Sequence, residues 1–130
     1  MDNREYIKNA LKTESLDFNA IEDRLNKTYV VRGLHAALGI VTEAGEIADV
    51  YKKYLFYGKE IDVVNLKEEV SDLFWYIAVL VDVLGMDDFE KILDMNIEKL
   101  AKRYKNQEFT TEAAINRNLK EERVILENGQ

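Results

Sequence analysis

The sequence predicts an all-α protein with a four-helix-bundle-like core and a C-terminal helical arm, completed by oligomerisation. Apolar residues recur at helical spacings along most of the chain, and no stretch shows sustained strand-like alternation. The chain contains no proline, which fits long uninterrupted helices. We expect a single domain over residues 1–130, with a core at about 17–104 and the arm at about 110–128.

Six helices are expected, and glycines mark the ends of the two longest. The helices cover about residues 2–12, 17–26, 31–56, 63–84, 87–104 and 110–127. Gly58 follows the third helix and can take the left-handed conformation that often ends a helix. Gly85 ends the fourth. The short connection YGKEID between these two helices makes them antiparallel neighbours.

Capping residues mark where the last two helices begin. Asp87 or Asp88 can cap the fifth helix, and Thr110 or Thr111 can cap the sixth, because their side-chain oxygens accept free backbone N–H groups. The sixth is expected to be less regular.

Charge and composition exclude several classes of protein. The net charge is −7, which argues against a nucleic-acid groove but allows a small phosphorylated ligand screened by a divalent cation. The absence of cysteine excludes disulfides and thiol catalysis and favours a cytoplasmic setting. The longest apolar run, residues 73–81, is too short to span a membrane.

Two acidic pairs interrupt the two long apolar helices. Glu43 and Glu46 lie three residues apart on the third helix, and Glu69 and Asp72 have the same spacing on the fourth. Residues three apart share a side of a helix. Antiparallel packing would therefore bring four carboxylates together.

Four like charges in a small volume need a proton or a cation to relieve their repulsion. Oxygen ligands favour Mg²⁺ or Mn²⁺, which commonly bridge carboxylates and substrate phosphates. The alternative is two solvated helix faces. A ferritin-like di-iron site is excluded because it needs Glu-x-x-His motifs, and the single histidine, His35, lies eight residues before Glu43.

The acidic pairs and their flanks resemble a known family. TEAGE at 42–46 and KEEVSD at 67–72 resemble the E-x-x-E … E-x-x-D signature of the all-α nucleoside triphosphate pyrophosphohydrolases, in particular the MazG-like branch that includes small phage and mobile-element proteins. The likeness extends over nearly the whole chain and includes LHAALGI, DLFWYIAVL, NIEKLAKRY and FTTEAAINR. Ser71 and Lys105 depart from the family's frequent glycine and proline.

The resemblance implies hydrolysis of a (deoxy)nucleoside triphosphate to monophosphate and pyrophosphate, as house-cleaning of the nucleotide pool. Mg²⁺, or Mn²⁺ as a substitute, would be held by Glu43, Glu46, Glu69 and Asp72. One carboxylate, for example Glu46, would take the proton of the attacking water. The family is typically dimeric or tetrameric, so a homodimer or homotetramer is expected, with no nucleic-acid or membrane partner.

Further residues are candidates for binding the substrate. The resemblance makes Lys53, Lys99 and Arg103 candidates for binding the triphosphate. Asn96 lies one turn before Lys99 and could join them. Each could equally be a solvated residue.

Aromatic residues near the acidic pairs are candidates for the base or sugar pocket. Tyr76 lies one turn beyond Asp72 and could border the base, and His35 could line the same pocket or be a packing residue. Trp75 is expected in the core or at an interface.

Two other functions stay open on the sequence. One is a non-catalytic helical dimerisation or interaction module with surface carboxylates. The other is a related phosphohydrolase acting on diphosphates or on phosphoribosyl-ATP.

Overall fold

The computed structural model describes residues 2–86 and 89–128, and within these ranges it contains helices and no strand. The α-helices are α1 (Asn3–Ala10), α2 (Phe18–Leu25), α3 (Thr28–Tyr57), α4 (Val63–Val83), α5 (Phe89–Arg103), α6 (Thr111–Ile115) and α7 (Leu119–Asn128). Short 3₁₀ turns occupy Leu11–Thr13 and Lys105–Gln107. The predicted all-α fold class is confirmed.

The helix ends follow local chemistry. Gly58 (φ 64°) and Gly85 (φ 66°) take the left-handed conformation, which costs glycine no steric penalty. The Asp17 carboxylate accepts from the N–H of Ala20 at 3.1 Å and caps α2. The Thr110 hydroxyl accepts from the N–H of Ala113 at 3.1 Å and caps α6.

The start of α3 and the continuity of the last helix differ from the sequence expectation. α3 begins at Thr28, three residues before the first residue expected in it. The expectation of a single last helix was wrong. The chain leaves helical geometry at Asn116 (φ −93°, ψ 60°), so this segment forms two helices, α6 and α7. The proposed caps Asp87 and Asp88 lie outside the described residues.

The chain divides into two compact units, Met1–Tyr76 and Ile77–Gln130. In the first unit, α3 runs antiparallel to the adjoining part of α4: His35 contacts Tyr76 early in α3, and Glu43 interacts with Glu69 further along. In the second unit, α5 packs against α7. The expectation of a single domain stays a prediction.

A glycine allows α3 and α4 to approach closely. Gly39 is buried, and a Cβ atom added there would collide with the ring of Tyr76. That ring is also flanked by His35, with ring centroids 5.6 Å apart, and by Trp75, with centroids 4.9 Å apart. The tyrosine ring therefore fills the space that a side chain at position 39 would need.

Burial within the chain is limited. Among the described residues, the buried apolar side chains are Ala36 and Val50. Large apolar side chains on α3 stay exposed, and their spacing puts them on one stripe: Leu34 (47% exposed), Leu38 (59%), Val41 (70%) and Leu55 (69%). An exposed apolar stripe of this kind is typical of interaction surfaces. Within the described ranges, no helix combines the length and apolar character that a membrane crossing requires.

We predict opposite effects for the same substitution at two glycines of α3. Gly39→Ala should destabilise the protein, because overpacking costs about 1–3 kcal/mol and the Tyr76 ring is confined by two neighbours. Gly45 has no neighbouring atom within 4 Å of an added Cβ. Gly45→Ala should therefore stabilise by up to about 1 kcal/mol through helix propensity.

Urea unfolding followed by circular dichroism measures both changes. Equal free energies of unfolding for the two variants would contradict the packing described for Gly39 and Tyr76.

Candidate metal centre

Three of the four predicted acidic ligands converge in the structure. α3 supplies Glu43, and α4 supplies Glu69 and Asp72, which lie one helical turn apart. One carboxylate oxygen from each residue lies within 4.8 Å of the other two. The antiparallel packing thus produces a compact group of hard oxygen donors, which suits a divalent cation such as Mg²⁺. We call these three residues the carboxylate cluster.

Glu46, the fourth predicted ligand, is exposed and does not belong to the carboxylate cluster. It lies one turn beyond Glu43 on α3, and its negative charge acts on Glu43. Its assignment as a ligand or base stays a prediction.

The electrostatics of the cluster centre on Glu43. Partial burial raises the pKa of Glu43 above its ordinary value, and so do its hydrogen bond with Glu69 and repulsion from Glu46, Glu69 and Asp72. A raised carboxyl pKa means that the charged form is disfavoured until a proton or cation offsets the neighbouring charges. The cluster is therefore arranged to gain from a bound cation.

Glu69 is the most enclosed member of the cluster, with 5% of its surface exposed. The side-chain amide of Asn65 donates a hydrogen bond to Glu69 Oε1. Sequence reasoning missed Asn65, although its position four residues before Glu69 puts both on one helix face and could have indicated it.

A cavity of about 340 Å³ opens beside the cluster and is lined by Glu43, Asp72, Trp75 and Tyr76. Trp75 is 55% exposed and lines this cavity, so the expectation that it lies in the core was wrong, and its expected place at an interface stays a prediction. His35 makes edge-on contacts with both rings, with centroid distances of 6.1 Å to Trp75 and 5.6 Å to Tyr76. Carboxylates and aromatic rings therefore line one open space.

Lys53, a predicted phosphate ligand, forms an ion pair with Asp49 within α3. Its Nζ lies 2.6 Å from Asp49 Oδ2, and Lys52 also pairs with Asp49. Hydrogen bonds from Lys52 and Lys53 lower the pKa of Asp49 to about 2. This aspartate is neutralised by two lysines and does not join the cluster.

The predicted substrate residues of α5 belong to the second unit. Asn96, Lys99 and Arg103 lie on one face of α5, at spacings of three and four residues. Arg103 is bound bidentately by Glu122 of α7, with Nε–Oε1 at 2.9 Å and Nη2–Oε2 at 2.7 Å. Arg117 binds the same carboxylate, with Nη2 at 2.6 Å from Oε2.

Glu122 is buried, with 4% of its surface exposed. Hydrogen bonds from Arg103 and Arg117 lower its pKa to about 2, and the pKa of Arg103 rises in turn, chiefly through its hydrogen bonds to Glu122. Two arginines on one glutamate leave a net positive charge. No local spacing pattern indicates Glu122 or Arg117, because their pairing depends on how α7 packs on α5.

A family model for the MazG nucleotide pyrophosphohydrolase domain matches residues 34–108, which is more than half of the chain. The matched range contains the carboxylate cluster and all the predicted substrate-binding residues. No curated protein and no solved structure matches the chain.

We predict that Glu122→Gln lowers the melting temperature near neutral pH, because Arg103 and Arg117 lose their shared counter-charge. The folded-state pKa of Glu122, about 2, lies below its ordinary value of 4.5. The carboxylate therefore stabilises the fold above pH 4.5, and this contribution is lost as the pH falls towards 2.

Differential scanning calorimetry between pH 2 and 7 measures the gap between variant and wild type, which should shrink with falling pH. Glu121→Gln removes the same charge from the exposed neighbouring position and is the matched control. A gap independent of pH would contradict the ion-pair assignment.

Proposed function

Because the chain belongs to the MazG nucleotide pyrophosphohydrolase family, we propose that it hydrolyses a (deoxy)nucleoside triphosphate to monophosphate and pyrophosphate. The observation that carries this proposal is the convergence of Glu43, Glu69 and Asp72 within 4.8 Å, inside the range that matches the family. Removal of unwanted nucleotides is the biological role that fits such a reaction.

The residues of the cluster fit a magnesium ion. Mg²⁺ takes oxygen ligands, is bound through few carboxylates and keeps waters or substrate phosphates in its remaining positions. The raised pKa of Glu43 supports a site that lacks a compensating positive charge of its own. When bound, Mg²⁺ would polarise phosphoryl oxygens and lower the pKa of a bound water. Mn²⁺ takes similar ligands and would substitute.

The protein's own part in the reaction is to place water and substrate and to accept a proton. Water attack cleaves the anhydride between the α- and β-phosphates, pyrophosphate leaves, and the proton of the water passes to a carboxylate. Glu46 is the proposed acceptor, because it is exposed and lies one turn from Glu43, while the other three acidic residues hold the ion.

The cavity beside the cluster would receive the nucleoside. Tyr76 borders it, and Trp75 contributes an open aromatic surface on which a base can stack. His35 holds both rings by edge-on contacts. Stacking on aromatic side chains is tolerant of base identity. These contacts would therefore contribute affinity for the nucleotide and not selectivity for one base.

Lys53, Asn96, Lys99 and Arg103 are proposed to bind the triphosphate. Glu122 fixes the Arg103 guanidinium by two hydrogen bonds, and the N–H donors that Glu122 and Tyr104 leave unused would bind phosphate oxygens.

We also propose a homodimer or homotetramer, because the stripe of Leu34, Leu38, Val41 and Leu55 is exposed. Burying such a stripe against a second copy would remove a large apolar area from water.

Replacing Glu69 by glutamine should lower pyrophosphate release at least about 100-fold, as expected when electrostatic stabilisation of a transition state is lost. The measurement uses purified protein, Mg²⁺ and a panel of nucleoside triphosphates, diphosphates and phosphoribosyl-ATP. Glu68→Gln removes the same charge one residue earlier on the exposed side of α4 and should retain activity. Equal activity of the Glu69 and Glu68 variants would refute the site, and turnover of diphosphates alone would replace the proposed substrate.

Val41→Asp should raise the dissociation constant of the oligomer at least about tenfold, which corresponds to about 1.4 kcal/mol. Light scattering coupled to size exclusion measures the mass across a dilution series. Ser15→Asp adds the same charge at an exposed position outside the helices and should leave the mass unchanged. A monomeric wild-type protein that unfolds cooperatively would contradict the proposed assembly.

A further inference from the structure

Asn65 occupies the first turn of α4 and is fixed there by a helix cap. The Asp62 carboxylate accepts from the N–H of Asn65 at 3.0 Å and from the N–H of Val64 at 3.1 Å. From this fixed position, the Asn65 amide donates to Oε1 of Glu69, one turn further along. The cap, the amide and the buried carboxylate thus form a continuous series of hydrogen bonds.

We propose that Asn65 is a positioning residue that holds Glu69 ready for a divalent cation, an inference that rests on the proposed function. Its contact is with one oxygen of a carboxylate that is 5% exposed. A glutamate side chain that is free to rotate loses rotamer entropy when it is fixed. The hydrogen bond from Asn65 restricts the Glu69 side chain before the cation binds, so less entropy is lost on binding.

The chemistry of the donor is the main argument for this role. Glu122, the other buried carboxylate among the described residues, is held by two arginines, and Asp49 is held by two lysines. Those cations neutralise the carboxylates that they hold. Asn65 instead donates from a neutral amide, so it orients Glu69 and leaves its full negative charge for a metal ion.

The competing explanation is that Asn65 is an ordinary polar residue in the first turn of a helix. The two explanations differ for Asn65→Ala. Alanine is the best helix former and leaves the Asp62 cap to the backbone intact, so the variant should fold. A merely local role would leave cation affinity unchanged. A positioning role should weaken affinity about 10- to 100-fold, as is typical when a hydrogen-bond partner of a metal ligand is removed.

The test is a titration of the full chain with Mn²⁺, followed by electron paramagnetic resonance of the free ion, without nucleotide. We expect Asn65→Ala to bind Mn²⁺ at least about tenfold more weakly than wild type and to remain cooperatively folded in the absence of metal. Asn65→Leu, which also lacks a donor but matches asparagine in size, should lose the same affinity. Asn118→Ala is the matched control, because Asn118 also lies at a helix start, but its side chain accepts from the N–H of Glu121 in the second unit.

The outcomes separate the two proposals. Wild-type affinity in both Asn65 variants would overturn the role of Asn65 and leave the pyrophosphohydrolase proposal standing. If the Asn65 variants bind Mn²⁺ more weakly but the wild-type protein cleaves no triphosphate, the positioning role of Asn65 would be supported and the proposed reaction refuted. Absence of Mn²⁺ binding by the wild type would overturn the inference, because Asn65 would have no ion to serve.

Discussion

Repulsion among three carboxylates is the constraint on which the rest of the site depends. Glu43, Glu69 and Asp72 come from two antiparallel helices and bring their oxygens within 4.8 Å of one another. Such an arrangement is unfavourable for the isolated chain, and the fold tolerates it because α3 and α4 are held together elsewhere. The contact of Gly39 with the Tyr76 ring lies beside the cluster and sets how closely the helices approach.

The chain treats its enclosed carboxylates in two different ways. Glu122 receives two guanidinium groups and links α5 to α7 within the second unit, so its charge serves the fold. Glu69 receives a neutral amide, and its charge stays uncompensated among other acids. An enclosed carboxylate without a positively charged partner destabilises a folded protein. The presence of such a carboxylate at Glu69 therefore calls for an explanation other than stability of the fold. A divalent cation bound at the cluster, as proposed, would supply that explanation.

Much of this arrangement could be predicted from the sequence, because it depends on local spacing. Glycines ended α3 and marked the end of α4 as expected, and the two acidic pairs could be assigned to facing helices from their three-residue spacing alone. Long-range packing could not be predicted in the same way. Trp75 was expected in the core or at an interface, but it lines the cavity beside the cluster. Glu122 meets Arg103 only because the chain bends at Asn116 and α7 returns to α5, and no local pattern encodes that bend.

The most direct test of the central claim is an anomalous difference map from crystals grown with Mn²⁺ and a non-hydrolysable triphosphate. The account predicts manganese density bound directly by oxygens of Glu43, Glu69 and Asp72, with the phosphates on the same ion. Manganese density located elsewhere, with these three side chains directed into solvent, would contradict it.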